Sequence, residues 1–221
     1  MENQRWLLWG HDIYGPESGR TREYCALMAD VLGVTCIIPD FFRGEEWPKP
    51  VPTWESGMQR DWAELLVPYL QLGGAQVVGA VGTCFGSYVV MHSAAESEGL
   101  MVGGVSIHPS HPPLMANAGE DETTVYQAIT SPQYFMDTPD SADSVRPGGL
   151  ASTIIESVSL VTNKQKKLMS SVLQTQFDEY EAPCEHGFFN RGDLNDPVVA
   201  NCVNLAIDHM ISFLNTTIVL P

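Results

Sequence analysis

The chain has 221 residues, of which 44% are hydrophobic and 17% are charged, a composition typical of a folded globular protein. It carries 11 Lys and Arg against 27 Asp and Glu, which gives a formal net charge of −16. Nucleic acids and anionic lipid surfaces bind clustered positive charge, so this balance argues against nucleic-acid and membrane partners. The length predicts a single domain over residues 1–221.

The cysteines give a first indication of the compartment. There are five of them, at Cys25, Cys36, Cys84, Cys184 and Cys202. Their number is odd, their spacing is wide and no CxxC pair occurs, so the sequence predicts neither a disulfide framework nor a structural zinc site. The N-terminal residues do not resemble a signal peptide, and no stretch approaches the roughly 20 apolar residues of a membrane span. We therefore expect a reducing, cytoplasmic location.

Short apolar runs alternate with longer helical patterns along the chain. In the first half the predicted elements are a strand from Arg5 to Trp9, a helix from Ser18 to Leu32, a strand from Val34 to Ile38, a helix from Trp54 to Leu72 and a strand from Gln76 to Val81. They continue with a helix from Phe85 to about Ala95, strands from Met101 to Ile107, Tyr134 to Met136 and Leu173 to Tyr180, and a helix from about Pro197 to Leu214 with Asp196 as its N-cap.

This alternation predicts the α/β class. Crossover connections through helices give a mostly parallel central sheet with helices on both faces. The uninterrupted apolar run AQVVGAV fits a buried central strand. Ligands of such sheets bind at the carboxyl ends of the strands, so the residues that directly follow each strand are the candidates for chemistry.

The third predicted strand runs into the turn Gly82-Thr83-Cys84-Phe85-Gly86-Ser87. This is the G-x-nucleophile-x-G elbow, with Cys in place of the commoner Ser. Side chains two residues before and after the nucleophile would collide, so both positions are Gly. The turn places the Cys84 thiol at a helix N-terminus, where the dipole and free N–H groups favour a thiolate and an oxyanion. The competing interpretation is a small buried cysteine behind a glycine turn.

A thiol nucleophile needs a base, and the base needs an acid that orients it. In this kind of fold the chain order is nucleophile, acid, histidine. Of the six histidines, His186 fits this order because it follows the last predicted strand. The acid is expected after the fifth strand, where we prefer Asp140, with Asp143 second and Asp137 third.

Several stretches of the chain now match one known family. They are HDIYGPESGRTREYCALMAD, VTCIIPDFFRGEEW, VGTCFGS, VSIHPSH, SPQYFM with VRPGGLA, and CEHGFFNRGDLNDP. In this order, and over most of its length, the chain resembles the dienelactone hydrolases, which are the carboxymethylenebutenolidase family of α/β-hydrolases, and particularly their fungal branch. The resemblance implies the α/β-hydrolase fold.

The resemblance also implies roles for particular residues. The family uses a Cys-His-Asp triad, which places the nucleophile at Cys84 and the base at His186. It has an acidic residue near the resting thiol, which corresponds here to Asp12. The backbone N–H groups of Ile13 and Phe85 would form the oxyanion hole, a role that suits groups fixed in place before charge develops.

The chain departs from the family in three places. Counting back from the VRPGG run places the family's acid on Ser141, next to Asp140, so the acid is displaced or replaced. The stretch 155–171 is longer than the family needs. Relatives carry a strand pair before the first strand seen here, so we expect the N-terminal strands of the sheet to be reduced.

Family members that degrade carboxylated lactones hold the substrate carboxylate with Arg. Arg43 and Arg191 follow strands and are candidates for this role, with surface salt bridges as the alternative. The candidates for an apolar wall, which could also simply pack in the core, are Tyr14, Trp47, Phe188 and Phe189.

The predicted protein is a hydrolase that cleaves a small ester or enol lactone through a thioester acyl-enzyme. It needs no metal and no organic cofactor, and we expect a monomer or a homodimer. A thiol nucleophile favours activated esters with good leaving groups. One alternative is an isomerase, cyclase or thioesterase of a biosynthetic pathway that uses the same site. The other is a hydrolase-like binding protein whose triad has decayed at the acid.

Overall fold

A six-stranded sheet forms the centre of the computed structural model, which describes residues 4–45, 49–138, 150, 176–179 and 184–219. Its strands are β1 (Arg5–Gly10), β2 (Thr35–Ile37), β3 (Val77–Thr83), β4 (Met101–Ile107), β5 (Gln133–Asp137) and β6 (Gln176–Glu179). They lie in the order β2-β1-β3-β4-β5-β6, and every neighbouring pair is parallel. The predicted α/β class and parallel sheet are therefore confirmed, with strand ends that differ by a few residues.

Helices connect the strands and cover both faces of the sheet. They are α1 (Thr21–Leu32), α2 (54–72), α3 (Gly86–Glu96), α4 (His111–Ala118), α5 (Glu122–Ala128), α6 (Phe188–Arg191) and α7 (Pro197–Leu214). The sequence predicted α1, α2, α3 and α7, and it missed the three short helices α4, α5 and α6. The predicted α2 is not a regular helix, because π-helical turns over Trp54–Met58 and Trp62–Leu66 alternate with α-helical turns, and Gly57 has a non-helical φ of 146°.

The two faces of the sheet carry separate apolar cores. Side chains alternate along a strand, so Trp6 and Leu8 of β1 join one core while Leu7 and Trp9 join the other. The first core packs against α2, α3 and α5, and the second packs against α1, α6 and α7. This arrangement buries the sheet on both sides and leaves its carboxyl edge as the place for polar side chains.

Helix α7 shows how the sequence sets both ends and the buried face of one element. The predicted N-cap is confirmed, since the Asp196 side chain accepts a hydrogen bond from the Val198 N–H at 2.8 Å. The helix continues into a π-helical turn over Asn215–Val219. Residues 197–219 are long and apolar enough to cross a membrane, contrary to our expectation from the sequence. The core helix of a soluble protein passes the same test of length and composition. Its buried positions, which pack in the second core, are Val199, Val203, Ala206, Met210, Phe213 and Leu214.

Two disulfide bonds correct the prediction of unpaired cysteines. Cys25 of α1 is bonded to Cys36 of β2, and Cys184 is bonded to Cys202 of α7. Cys84 is the one free cysteine of the five. Five cysteines can form two disulfide bonds and leave one thiol free, so the odd number of cysteines did not exclude pairing. The fold brings together partners that lie 11 and 18 residues apart in the sequence. Disulfides persist in oxidising compartments, so the cysteines no longer support a cytoplasmic location.

Candidate active site

The turn between β3 and α3 has the geometry of a nucleophile elbow. Cys84 has a φ of 54°, which is strained for a residue with a side chain. A Cβ at Gly82 would lie 2.2 Å from the carbonyl oxygen of Gly86, and a Cβ at Gly86 would lie 2.0 Å from the carbonyl oxygen of Gly10. The G-x-C-x-G spacing is therefore a steric requirement, as the sequence predicts, and it also involves a third glycine at the end of β1.

The Cys84 side chain is only 8% exposed, and polar groups surround its sulfur. The imidazole of His186 and the backbone N–H of Phe85 lie near enough to the sulfur to affect its ionisation. The Ser110 hydroxyl lies 3.5 Å from Sγ and 3.3 Å from Nε2 of His186. Burial raises the pKa of the thiol, but the hydrogen bond and charge of His186, with help from Ser110 and Phe85, bring that pKa below its usual value.

The segment that carries His186 is fixed on both sides. Cys184, two residues earlier, is bonded to Cys202 of α7. After His186, the guanidinium of Arg20 donates to three backbone carbonyl oxygens, those of Phe188 at 3.2 Å, Phe189 at 2.8 Å and Gly192 at 3.0 Å. The disulfide bond to α7 and the Arg20 guanidinium at the start of α1 thus hold the His186 imidazole over the elbow.

The preferred acid, Asp140, and its alternative, Asp143, lie outside the described residues. Asp137, which we ranked third, ends β5 and is 3% exposed. It lies opposite Glu179 at the end of β6, the strand that leads to His186. Asp137 therefore lies at the carboxyl edge of the sheet, where a triad acid is expected.

Asp12 follows β1 and is fully buried. Its carboxylate accepts hydrogen bonds from the Tyr14 N–H at 2.9 Å, from the Ser18 hydroxyl at 2.9 Å and from the Arg191 guanidinium. A longer contact of 3.4 Å comes from the side-chain amide of Asn190. Asp12, the predicted acid near the thiol, is thus the partner of Arg191, the predicted ligand of a substrate carboxylate. These contacts join the loop after β1 to α6.

The remaining predicted site residues differ in their surroundings. Arg43 forms a salt bridge of 2.6 Å with Asp61 of α2, which corresponds to the surface alternative, while the Arg191 guanidinium lies 4.2 Å from the centre of the Tyr14 ring. Ile13 is partly buried beside the first core. Phe188 is buried, with its ring centre 6.0 Å from that of His108.

Of the other two aromatic candidates, the structure describes one. Phe189 packs on Tyr24, with ring centres 4.4 Å apart, as part of the second core. Trp47 lies outside the described residues.

Three residues of the site were missed or left without a role by the sequence analysis. Ser110 contacts both the thiol and the imidazole. His108, which is fully buried with a φ of 39°, has its ring centre 4.7 Å from that of His186. Burial and the positive charge of His186 hold the pKa of His108 well below its usual value. Ser87 binds the elbow to the loop after β4. For His108 and Ser110 the signal was present in VSIHPSH, because both follow β4 within three residues.

Comparisons with known proteins bear on the fold and on the relatives of the chain. No protein-family model matches the chain. The carboxymethylenebutenolidase homolog of Mus musculus is 28% identical over 191 residues, which cover 81% of this chain and 69% of that protein. The carboxymethylenebutenolidase homolog of Rattus norvegicus is 35% identical over 92 residues, which cover 37% of each chain.

Solved structures show the same fold at low sequence identity. Est1E from Butyrivibrio proteoclasticus has a TM-score of 0.57 at 12% identity and covers 95% of this chain and 90% of its own. The Pyrobaculum calidifontis esterase has a TM-score of 0.61 at 14% identity, with 98% and 78% covered. A protein assigned as a dienelactone hydrolase from Klebsiella pneumoniae has a TM-score of 0.55 at 12% identity, with 93% and 85% covered. The chain therefore has the α/β-hydrolase fold, and its similarity to carboxymethylenebutenolidase, the dienelactone hydrolase, is confirmed.

Proposed function

We propose that the protein is a cysteine hydrolase of small esters or lactones. The observation that carries this proposal is the free thiol of Cys84 at a strained elbow, where the Ser110 hydroxyl lies 3.5 Å from Sγ and 3.3 Å from Nε2 of His186. The similarity to carboxymethylenebutenolidase homologues and the esterase fold support the same reaction class. An inert buried cysteine needs neither a strained turn nor a histidine partner.

In the first half of the reaction His186 takes the proton of Cys84, and the thiolate attacks the carbonyl carbon of the ester. The Phe85 N–H, which lies against the sulfur, and the N–H of Ile13 stabilise the oxyanion. The C–O bond then breaks, and the alcohol or enol leaves with the proton from the imidazolium. The product on the protein is a thioester at Cys84.

In the second half His186 accepts a proton from water, which attacks the thioester carbonyl. The C–S bond breaks, the carboxylic acid is released and the thiol regains its proton. A carboxylate beside the imidazole orients it in both halves. We assign this role to Asp140, with Asp143 and then Asp137 as alternatives.

The charges around the site support a neutral substrate. Arg191 is bound to the buried carboxylate of Asp12, and Arg43 is bound to Asp61. Each guanidinium is thus neutralised by a protein carboxylate, which reduces its attraction for a carboxylated lactone. A small neutral ester or lactone with a good leaving group therefore suits this site better.

The test is turnover of activated esters and enol lactones by the wild type and by Cys84→Ala and His186→Gln. We expect each variant to lose at least about 10³-fold in kcat/KM. The control is the double variant Cys25→Ala/Cys36→Ala, which removes two other cysteines and should keep the wild-type rate. Mass spectrometry of the quenched wild type should find the acyl group on Cys84. Wild-type turnover in Cys84→Ala would overturn the proposal.

The same experiment separates the alternatives. Acylation of Cys84 without release of free acid would support an isomerase, a cyclase or a transfer reaction on this site. Failure of every substrate in the panel to acylate Cys84 would support a binding protein that has lost catalysis.

A further inference from the structure

We propose that the Ser110 hydroxyl bridges Cys84 and His186 and selectively stabilises their charged form, the thiolate paired with the imidazolium. This inference rests on the proposed function of Cys84 as nucleophile and His186 as base. It assigns a role in the reaction to a residue outside the Cys-His-Asp triad.

The geometry favours the charged pair over the neutral one. The hydroxyl lies 3.5 Å from Sγ of Cys84 and 3.3 Å from Nε2 of His186. A hydroxyl has a single proton to donate but can also accept. With a thiolate and an imidazolium it donates to the sulfur and accepts from Nε2–H, so both contacts are satisfied. With a neutral thiol and imidazole the direction reverses, from S–H to the hydroxyl and from the hydroxyl to Nε2, but both bonds then join neutral groups and are weaker than bonds to ions.

The local sequence leaves this hydroxyl available. Ser110 occupies the N-cap position of α4, where a serine side chain normally accepts a hydrogen bond from the second or third N–H of the helix. Those positions are Pro112 and Pro113, which have no N–H. Accordingly, Ser110 makes no side-chain capping bond. Its contacts with the sulfur and the imidazole thus cannot be a by-product of helix capping.

The backbone of Ser110 is fixed to the elbow itself. The hydroxyl of Ser87 in α3 donates to the carbonyl oxygen of Cys84 at 2.7 Å. It also accepts from the N–H groups of Ser110 at 3.0 Å and His111 at 3.1 Å. The Ser110 N–H lies 3.3 Å from the same Cys84 carbonyl. One turn therefore positions the sulfur and the hydroxyl relative to each other before any substrate binds.

Other charged or titratable groups face this pair from neighbouring elements of the described chain. His108, directly after β4, faces His186 and is held neutral by its burial. Arg191 of α6 acts on His108 through its charge, while its guanidinium is bound to Asp12. At the residue before α3, the Phe85 N–H faces the sulfur. All of these groups remain in a Ser110 variant, so the effect of the hydroxyl can be measured separately.

The test is the rate of alkylation of Cys84 by iodoacetamide as a function of pH. Cys84 is the one free cysteine, so the rate reports on this thiol alone. We expect Ser110→Ala to move the midpoint of the profile upward by about one pH unit, the scale of one hydrogen bond to a charged group. Ser110→Thr keeps a hydroxyl and should stay near the wild type. Ser93→Ala removes another fully buried hydroxyl, in α3, and should change nothing.

An unchanged midpoint in Ser110→Ala would overturn the inference, and so would an equal shift in Ser110→Thr. Ser110→Gly provides a second variant without the hydroxyl, and circular dichroism checks that each variant is folded. Ester turnover is measured in parallel. A Ser110-dependent midpoint in a protein that hydrolyses no ester would uphold the bridge and reject the proposed function. Ester turnover that depends on Cys84, together with an unshifted midpoint in Ser110→Ala, would uphold the proposed function and reject the bridge.

Discussion

Three backbone segments meet at the elbow with no space for an additional atom. A Cβ at Gly82 would lie 2.2 Å from a backbone oxygen, which cannot move without displacing α3. We expect Gly82→Ala to lower the free energy of unfolding by about 3 kcal/mol or more and to reduce turnover, since relief of the clash shifts Cys84. Urea denaturation and ester assays measure the two effects.

The control is Gly119→Asn at the end of α4. Gly119 has a φ of 74°, and an added Cβ there meets open space. Asn tolerates this conformation, so the cost should stay below about 1 kcal/mol. Equal losses in the two variants would mean that the tight packing at the elbow is not what requires glycine.

His111 makes stability depend on pH. Its ring is fully buried between Tyr126 and Phe135, and burial lowers its pKa from 6.5 to about 3. Between these two values the unfolded chain binds a proton that the folded chain does not. The contribution of this group to stability is therefore complete above about pH 6.5 and is lost as the pH falls.

The variant that tests this dependence is His111→Phe. Between about pH 7 and pH 5 the wild type should lose about 2 kcal/mol more unfolding free energy than the variant. Urea denaturation at the two pH values gives the difference. His209→Gln removes an exposed histidine of α7 and should retain the wild-type loss. If the stability of His111→Phe and of the wild type changed equally with pH, the pH dependence could not be attributed to His111.

The two disulfides fix different elements and should have different effects. Cys25–Cys36 ties α1 to the β2 end of the sheet, whereas Cys184–Cys202 holds the segment that carries His186. Loss of either bond should cost about 2–4 kcal/mol of unfolding free energy. Only the double variant Cys184→Ala/Cys202→Ala should also lower kcat/KM, because it releases the base. Turnover is measured where both double variants are folded. Equal turnover in the two would show that Arg20 alone holds the segment.

Regular elements were the predictable part of the fold, because uninterrupted apolar runs and long amphipathic patterns identify them. Strand β4 and helix α7 match the predicted ends, and the nucleophile turn follows from its glycines. Helix α4 was missed because it begins with His111-Pro112-Pro113 after a strand, a run that suggests a loop. Ser110 was missed for a related reason. Its role depends on the two prolines, which remove the N–H groups that a capping serine would bind. It also depends on contacts with Cys84 and His186, which are distant from Ser110 in the sequence.

At the scale of the whole molecule, the net charge of −16 should select among substrates. An anionic ester is repelled by the protein, and Arg191 and Arg43 are already paired with carboxylates. We expect a neutral activated ester to have a kcat/KM about tenfold higher than a matched ester with a remote carboxylate. The ratio should fall toward one as salt rises to about 0.5 M. A preference for the carboxylated ester would mean that an arginine exchanges its protein partner for the substrate.

The pairing of four cysteines leaves each chain with a single reactive sulfur, at Cys84. A chromogenic thiol reagent therefore counts functional sites directly, with one equivalent for the native chain and five after reduction and unfolding. The same arrangement leaves no neighbouring thiol to capture a sulfenic acid as a disulfide. Peroxide should then carry Cys84 on to sulfinic acid, which thiols do not reverse, unless a small external thiol intercepts it first. A bound acyl group would protect the sulfur, so the protein should resist oxidation best while it is turning over substrate.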